Sequence, residues 1–524
     1  MSSQRSFGRS PRLRARTADD LIDVHDPTAG GLAHGMKSGA RWVGSAQVVS
    51  QLIRIVMALA LTFLIDPAEF GLVALITVIT VFFERVLGDT GTTAAVVRHP
   101  EITHGLVSSV FWLNVSIGLA TSGAFVAFGG VLASVLDNPD AGNLVRVAGL
   151  MAFLNAFGHV QRALLRRFLL FRALATVNLS NALITTTATV VLAVANWGPW
   201  ALVVGNLAGT VGSVALAWWW SPWRPGRTFD RERLRQISRF SVNLSVQNLF
   251  GYVSYAGDRF LIGRFIGTAE LGYYGLANRL LRYPLQTTTQ TYREVVLPGL
   301  ARIQDDHPGM REAYTRTVNG IAFLLLPLCL GLSALARPLV DAALTDEWLP
   351  ATNIIAIMAL VGALQSLATT TGSIYIAKGR TDLSLRWQMG SSAVLMVAYS
   401  IGALWGTEGV AWGYLVGITV LFYPAFHIPL RLIEGRPRDV LSPIAPTLIA
   451  SAAGAGGAWI TARLLDETGR GPWLQLVAGG AVMSAAYGAY VLIGKPQAMR
   501  DLKAAVASGR RRGKGAPSPD PASG

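Results

Sequence analysis

A single cysteine, Cys329, stands in a chain of 524 residues, inside an apolar run. One thiol excludes an intrachain disulfide and a thiolate metal cluster. Charge is scarce too. Only 14% of residues are Asp, Glu, Lys or Arg, where a soluble domain carries about 25%. No phosphate-cradling P-loop is present, so the chain is not an ATP-driven pump on its own. The histidines lack metal-ligand spacing, and His159, in an apolar run, reads as a core group. No large extracytoplasmic loop carries the paired carboxylates that a membrane glycosyltransferase or ligase needs. Neither catalysis, a cofactor nor a metal is expected. The alternating strands of a membrane β-barrel are missing as well.

What the chain has in quantity is apolar sequence, 52% of it. Run after run reaches about 20 residues, the length that crosses about 30 Å of hydrocarbon. The expected fold is an all-α polytopic membrane protein of about 14 transmembrane helices. They lie roughly at 41–65, 70–91, 106–136, 144–164, 173–195, 200–220, 241–262, 271–297, 314–338, 351–376, 384–404, 409–432, 441–464 and 472–493. Residues 1–35 and 495–524 read as disordered basic tails. The first lacks the apolar core of a cleaved signal peptide. Pro284 and Pro327 fall inside spans eight and nine, where they kink or loosen a helix.

The net charge of +15 has a membrane explanation rather than a nucleic-acid one. With the N-terminus inside, 33 of the 45 Lys and Arg residues fall on the cytoplasmic side, five on the other, and seven inside spans. That bias predicts an even number of spans with both termini cytoplasmic. The basic connection 162–172 (RALLRRFLLFR) reads as an interfacial amphipathic helix. Tryptophans near span ends, including Trp42, Trp197, Trp218–Trp220, Trp223, Trp405 and Trp473, read as the interface belt.

An internal repeat organises the spans. Residues 67–75 read PAEFGLVAL and residues 268–276 read TAELGYYGL, an offset of 201. GPWALVVG near 198–205 and GVAWGYLVG near 409–417 repeat at an offset of about 211. Both map span n onto span n+6. The expectation is two six-helix bundles, 36–235 and 236–435, related by a pseudo-two-fold axis along the membrane normal. Two further helices lie at 436–494, and a substrate path runs at the repeat interface.

Polar groups at bilayer depth mark candidate sites. On span eight, Arg279, Arg282, Gln286, Gln290 and Arg293 share one helical face. Span one carries Gln47, Gln51 and Arg54. Span two carries Thr77, Thr80 and Glu84, with Arg85 beside it and Asp89 a turn on. Span seven carries Ser241, Ser245, Asn248, Tyr252, Tyr255 and Arg259, with Asp258 adjacent. A charge at this depth needs a wet cavity or a partner. Two readings stand. In one, the arginines line a cationic cavity, since guanidinium forks match phosphate oxygens. In the other, they pair with carboxylates or snorkel. The substrate-cavity candidates are Arg54, Arg85, Arg279, Arg282, Gln286, Gln290, Arg293 and Asn248. Glu84, Asp89 and Asp258 are candidates for ion coupling or gating.

The run DRFLIGRFIGTAELGYYGLANRLLRYPLQ, followed by VVLPGLARIQDD (295–306), resembles the oligosaccharide flippases of the Wzx/WzxC type. These belong to the multidrug/oligosaccharidyl-lipid/polysaccharide exporter superfamily. RRFLLFRALA (166–175) and the EFG of span two also look like that family. The resemblance spans roughly residues 36–435. It implies a V-shaped cavity between two bundles that moves lipid-linked sugar units across the bacterial cytoplasmic membrane by alternating access. It carries over to Asp258, Arg279 and the surrounding run; the family often has another polar residue where Arg259 stands. The implied partners are a lipid-diphosphate-linked oligosaccharide, membrane lipids and other polysaccharide assembly proteins, with no nucleic acid. A multidrug cation antiporter, a membrane-embedded polymerase or ligase, and a non-transporting scaffold remain as alternatives.

Overall fold

The computed structural model describes residues 49–84, 102–135, 141–168, 170–221, 223–227, 249–253, 256–282 and 305–494, with positions 230, 285, 303, 496, 499 and 500. The described residues are helical, and no strand occurs among them. Among the described residues nine helices are long and apolar enough to cross a membrane, and Val49–Leu61 and Pro67–Phe83 are shorter apolar helices. The chain is a multi-pass membrane protein.

The longer helices among the described residues are α1 (Val49–Leu61), α2 (Pro67–Phe83), α3 (His104–Val135), α4 (Ala141–Arg167), α5 (Phe171–Val194) and α6 (Pro199–Trp220). Residues 256–266 form α7, whose last turn Ile262–Ile266 is a π-helix, and residues 268–282 form α8. Then come α9 (His307–Ala334), α10 (Ala351–Ala368), α11 (Thr381–Gly402), α12 (Gly406–Arg431), α13 (Ala445–Glu467) and α14 (Pro472–Gly494).

Local chemistry sets the boundaries. Asp66 is extended, Pro67 opens α2 and Glu69 lies in its first turn. Proline there sacrifices no helical bond, and an acid there meets the positive end of the helix dipole. The Asp306 side chain accepts from the Gly309 N–H at 3.0 Å and caps α9. Between α7 and α8 the chain turns at Gly267, whose φ of +152° favours glycine. The Gly267 N–H closes the π-turn onto the Ile262 carbonyl at 3.0 Å.

Two compact units emerge from the packing. The first holds 1–283, 344–351 and 385–414; the second holds 284–343, 352–384 and 415–524. In the first unit, Phe111, Val160, Leu164 and Trp223 meet in one apolar core. The Trp218 indole N–H donates to the Phe157 carbonyl at 2.9 Å. Trp223 is fully buried, which corrects its reading as an interface tryptophan. Residues 162–167 are a second correction. They complete α4 rather than forming a separate interfacial helix, because Ala163, Leu164 and Leu165 are fully buried. In the second unit, Leu335, Ala455, Ala458, Ala462 and Met483 pack together. The Tyr487 hydroxyl donates to the Phe323 carbonyl at 2.7 Å.

The repeat reappears as a contact inside the first unit. A Cβ added to Gly71 would lie 1.7 Å from the Thr268 carbonyl oxygen, and one added to Gly272 would lie 2.1 Å from that of Pro67. In the repeat, Pro67 is equivalent to Thr268 and Gly71 to Gly272. Each glycine therefore meets the backbone one turn ahead of its own counterpart. At the next rung the equivalents face each other directly: a Cβ on Gly275 would lie 3.9 Å from that of its equivalent, Ala74. Positions 67, 71 and 74 fall on one face, as do 268, 272 and 275. Small residues on that face let two membrane helices approach backbone to backbone.

Candidate functional site

The face of α8 that meets α2 continues inward as the polar stripe. From Gly272 and Gly275 the same spacing leads to Arg279 and Arg282. The first of these arginines is spoken for by an aromatic ring. Its guanidinium carbon lies 4.2 Å from the centroid of Phe70, a cation–π contact. Phe70 is fully buried, and it meets the equally buried Trp348 edge-on at 5.6 Å. Tyr273 flanks Trp348 at 6.0 Å. The Trp348 indole donates to the Thr62 carbonyl at 3.2 Å. Arg282 donates through Nε to the Asn278 side-chain oxygen, one turn back on the same helix.

A buried polar cluster forms around Asp258, which is 1% exposed. Its Oδ2 accepts from the Tyr274 hydroxyl at 2.8 Å, and its Oδ1 accepts from the Arg259 backbone N–H at 2.8 Å. Arg259 Nε lies 3.7 Å from Oδ1, an ion pair. Tyr414 and Arg282 are electrostatic neighbours of Tyr274, and Tyr399 packs edge-on against Tyr414 at 5.3 Å. The carboxylate is thus held by donors from α7 and α8, with tyrosines of α11 and α12 around it.

Glu84, at the end of α2, faces α4 instead. Its Oε1 lies 4.0 Å from His159 Nε2, beyond hydrogen-bond reach, so His159 remains a core group with a carboxylate nearby. Arg162, one turn along α4, donates to the Asn155 carbonyl and side-chain oxygens at 3.4 Å. Arg54 donates to Asn181 Oδ1 at 3.4 Å, and Asn181 donates to Ser213 Oγ at 3.4 Å. This thread joins α1, α5 and α6. Thr77 and Thr80 bond the carbonyls of Val73 and Ile76 within α2, so these hydroxyls turn inward on their own helix. Tyr252 donates to the Val78 carbonyl at 2.8 Å.

Arg85, Asp89, Asn248, Gln286, Gln290 and Arg293 lie outside the described residues, as do Gln47, Ser241, Ser245 and Tyr255. Of the sequence-derived candidates, Arg279 and Arg282 share one face, with Arg282 beside the Asp258 cluster. Arg54 and Glu84 each belong to a separate polar thread.

Sequence reasoning passed over Phe70, Trp348 and Tyr274 as functional neighbours. The repeat tetrapeptides 68–71 and 269–272 held the signal for the α2–α8 contact, because both end in glycine. A further cluster lies in the second unit. His307 Nδ1 lies 3.1 Å from Glu434 Oε1, and Lys378 Nζ lies 2.7 Å from His307 Nε2. With the lysine donating, the imidazole carries its proton on Nδ1, toward Glu434.

Residues 60–353 match the family profile of the polysaccharide biosynthesis proteins. The lipopolysaccharide biosynthesis protein WzxC of Escherichia coli strain K12 is 26% identical over 403 residues, covering 76% of this chain and 81% of that protein. The succinoglycan biosynthesis transport protein ExoT of Rhizobium meliloti is 25% identical over 453 residues, covering 84% and 89%. Among solved structures, the lipid II flippase MurJ in an inward closed conformation superposes with a TM-score of 0.70 at 14% identity, over 88% of this chain and 99% of that one. An inward-facing MATE-family multidrug transporter gives 0.60 at 15%, over 75% and 99%. At these identities the structural matches speak for the fold alone.

Proposed function

Because this chain belongs to the polysaccharide biosynthesis protein family, we propose that it translocates a lipid-diphosphate-linked oligosaccharide across the bacterial cytoplasmic membrane by alternating access. The product serves cell-surface polysaccharide assembly. One observation carries the reading: Arg279 and Arg282 share the face of α8 that, one turn earlier, packs against α2, in the stretch 271–297 that the sequence assigns to bilayer depth. Arginine at that depth is expensive unless it has work to do. A planar guanidinium stays charged and grips phosphate oxygens in pairs. The relatives' names point the same way, since WzxC and ExoT are proteins of lipopolysaccharide and succinoglycan biosynthesis.

In this reading the two arginines hold the diphosphate, with Arg54, Arg85, Arg293, Gln286, Gln290 and Asn248 completing a polar path. Glu84, Asp89 and Asp258 supply ion coupling or gating. Both termini face the cytoplasm, two six-helix bundles and two added helices make up the membrane domain, and other assembly proteins hand over the substrate. The test is flipping of a lipid-diphosphate saccharide in reconstituted liposomes. Each charge-assisted hydrogen bond contributes about 1.5–3 kcal/mol. Arg279→Ala with Arg282→Ala therefore lowers the rate by roughly two orders of magnitude or more. An unchanged rate removes the arginines from the diphosphate site.

A further inference from the structure

We infer that Gly71 and Gly272, with Trp348 set beside them, form the seal that closes the transport path at the ends of α2 and α8 away from the basic connections. The inference rests on the transport reading given above, and it assigns to these residues the closure step. Its basis is the reciprocity of the contact. Each glycine meets the backbone carbonyl of the other helix at the position equivalent to the one it is met from, 1.7 Å and 2.1 Å from a would-be Cβ. The obstructing atoms are backbone oxygens, which cannot swing aside as a side chain can. Any side chain at either position holds the two helices apart.

The second element is Trp348. It lies fully buried against Phe70 at 5.6 Å and against Tyr273 at 6.0 Å, and it is fastened to the Thr62 carbonyl at the end of α1. Thr345 reaches the same carbonyl at 3.4 Å. One loop thus covers the start of α2 and the start of α8 together. Inward of the contact come Gly275 against Phe70 and Ala74, and then Arg279 over the Phe70 ring. A substrate held at Arg279 leaves past this end only when α8 withdraws from α2. That movement also parts Arg279 from Phe70, so release of the guanidinium and opening of the seal are one motion. The π-turn Ile262–Ile266 and Gly267, directly before α8, are where the backbone can absorb it.

The sole cysteine makes the test clean. Cys329 is buried, and Cys329→Ser gives a thiol-free background. Gly275→Cys places a reporter directly beneath the seal, where its Cβ finds only ordinary contacts of 3.8 Å and 3.9 Å. Right-side-out membrane vesicles are treated with a membrane-impermeant maleimide. Gly71→Leu and Gly272→Leu, singly or together, raise the labelling rate of the reporter by about tenfold or more, as overpacking at a two-state contact shifts its balance. Trp348→Ala raises it without altering either helix. Gly123→Leu is the folding control, because a Cβ there meets nothing within 4 Å; its labelling stays at the parental rate.

An unchanged rate in the glycine variants, in protein that elutes as a single species in detergent, overturns the seal. So does faster labelling confined to inside-out vesicles, which puts the contact at the other face. Raised labelling together with unimpaired flipping by the Arg279→Ala, Arg282→Ala protein supports the seal and removes the diphosphate reading, so the two fail separately.

Discussion

Replacing Tyr274 by phenylalanine removes one hydroxyl from a buried carboxylate and almost nothing from the packing. Tyr274 is fully buried, and its hydroxyl lies 2.8 Å from Asp258 Oδ2. Water cannot take the vacated place. Asp258 keeps the Arg259 N–H at 2.8 Å and the Arg259 guanidinium at 3.7 Å. Two magnitudes compete for the missing bond. A hydrogen bond to a charged group contributes about 1.5–3 kcal/mol. Neutral polar pairs between membrane helices average about 0.6 kcal/mol, because the unfolded chain in the bilayer also finds partners. The ion pair with Arg259 places this bond in the first class.

A double-mutant cycle separates the two. Tyr274→Phe, Asp258→Asn and the pair are unfolded in detergent, and the coupling is read from the four stabilities. Asp258→Asn also deprives Arg259 of its carboxylate. That loss occurs in both the single and the double variant, so it cancels from the coupling. The expected coupling is about 1.5 kcal/mol or more. A value within about 0.5 kcal/mol of zero means that the sites act independently and refutes a charge-assisted bond joining α7 to α8.

Two further outcomes follow from the packing. A Cβ on Gly409 would sit 2.1 Å from the Gly402 carbonyl oxygen, so Gly409→Val costs about 1–3 kcal/mol of stability in a detergent melt; a melt unchanged from the parent contradicts the backbone contact of α11 with α12. Glu434 is 77% exposed where it meets His307, so Glu434→Ala costs at most about 1 kcal/mol, and a larger loss in the same assay gives the His307–Lys378–Glu434 cluster a fastening role.

The bilayer made much of the fold readable. Hydrocarbon thickness fixes how long an apolar run must be, so runs of about 20 residues announce helices before any packing is known. The family was readable from 258–306 for a similar reason: that stretch keeps charges and glycines where an ordinary span has leucine. Contacts were harder to read. Periodicity says which residues share a face, not what the face meets. The stripe on α8 was visible, yet Phe70 under Arg279 was not, since a phenylalanine in an apolar helix suits lipid and core equally well. Tyr274 was hidden for the same reason. The approach of Glu84 to His159 was hidden because the two lie 75 positions apart in sequence. Residues 162–167 alternate basic and apolar groups, a pattern shared by interfacial helices and by the last turns of a buried span. Burial of Leu164 and Leu165 decides for the second.

At the α2–α8 contact the arginines lie on α8 and not at the equivalent positions of α2. At the contact, α2 and α8 carry the same requirement and the same answer, glycine at 71 and at 272. Two turns inward the helices diverge. Val78 is equivalent to Arg279, and Val81 to Arg282. On α2 those positions serve packing: Val78 is 5% exposed in a cluster with Tyr252 and Ala256, Val81 packs against it, and the Val78 carbonyl accepts the Tyr252 hydroxyl. On α8 the same positions carry guanidinium groups. Two cationic faces meeting beneath the glycines would repel at low dielectric by several kcal/mol, and the glycine contact could not form. Charge on one helix and apolar packing on the other let the contact close while Arg279 rests on an aromatic ring.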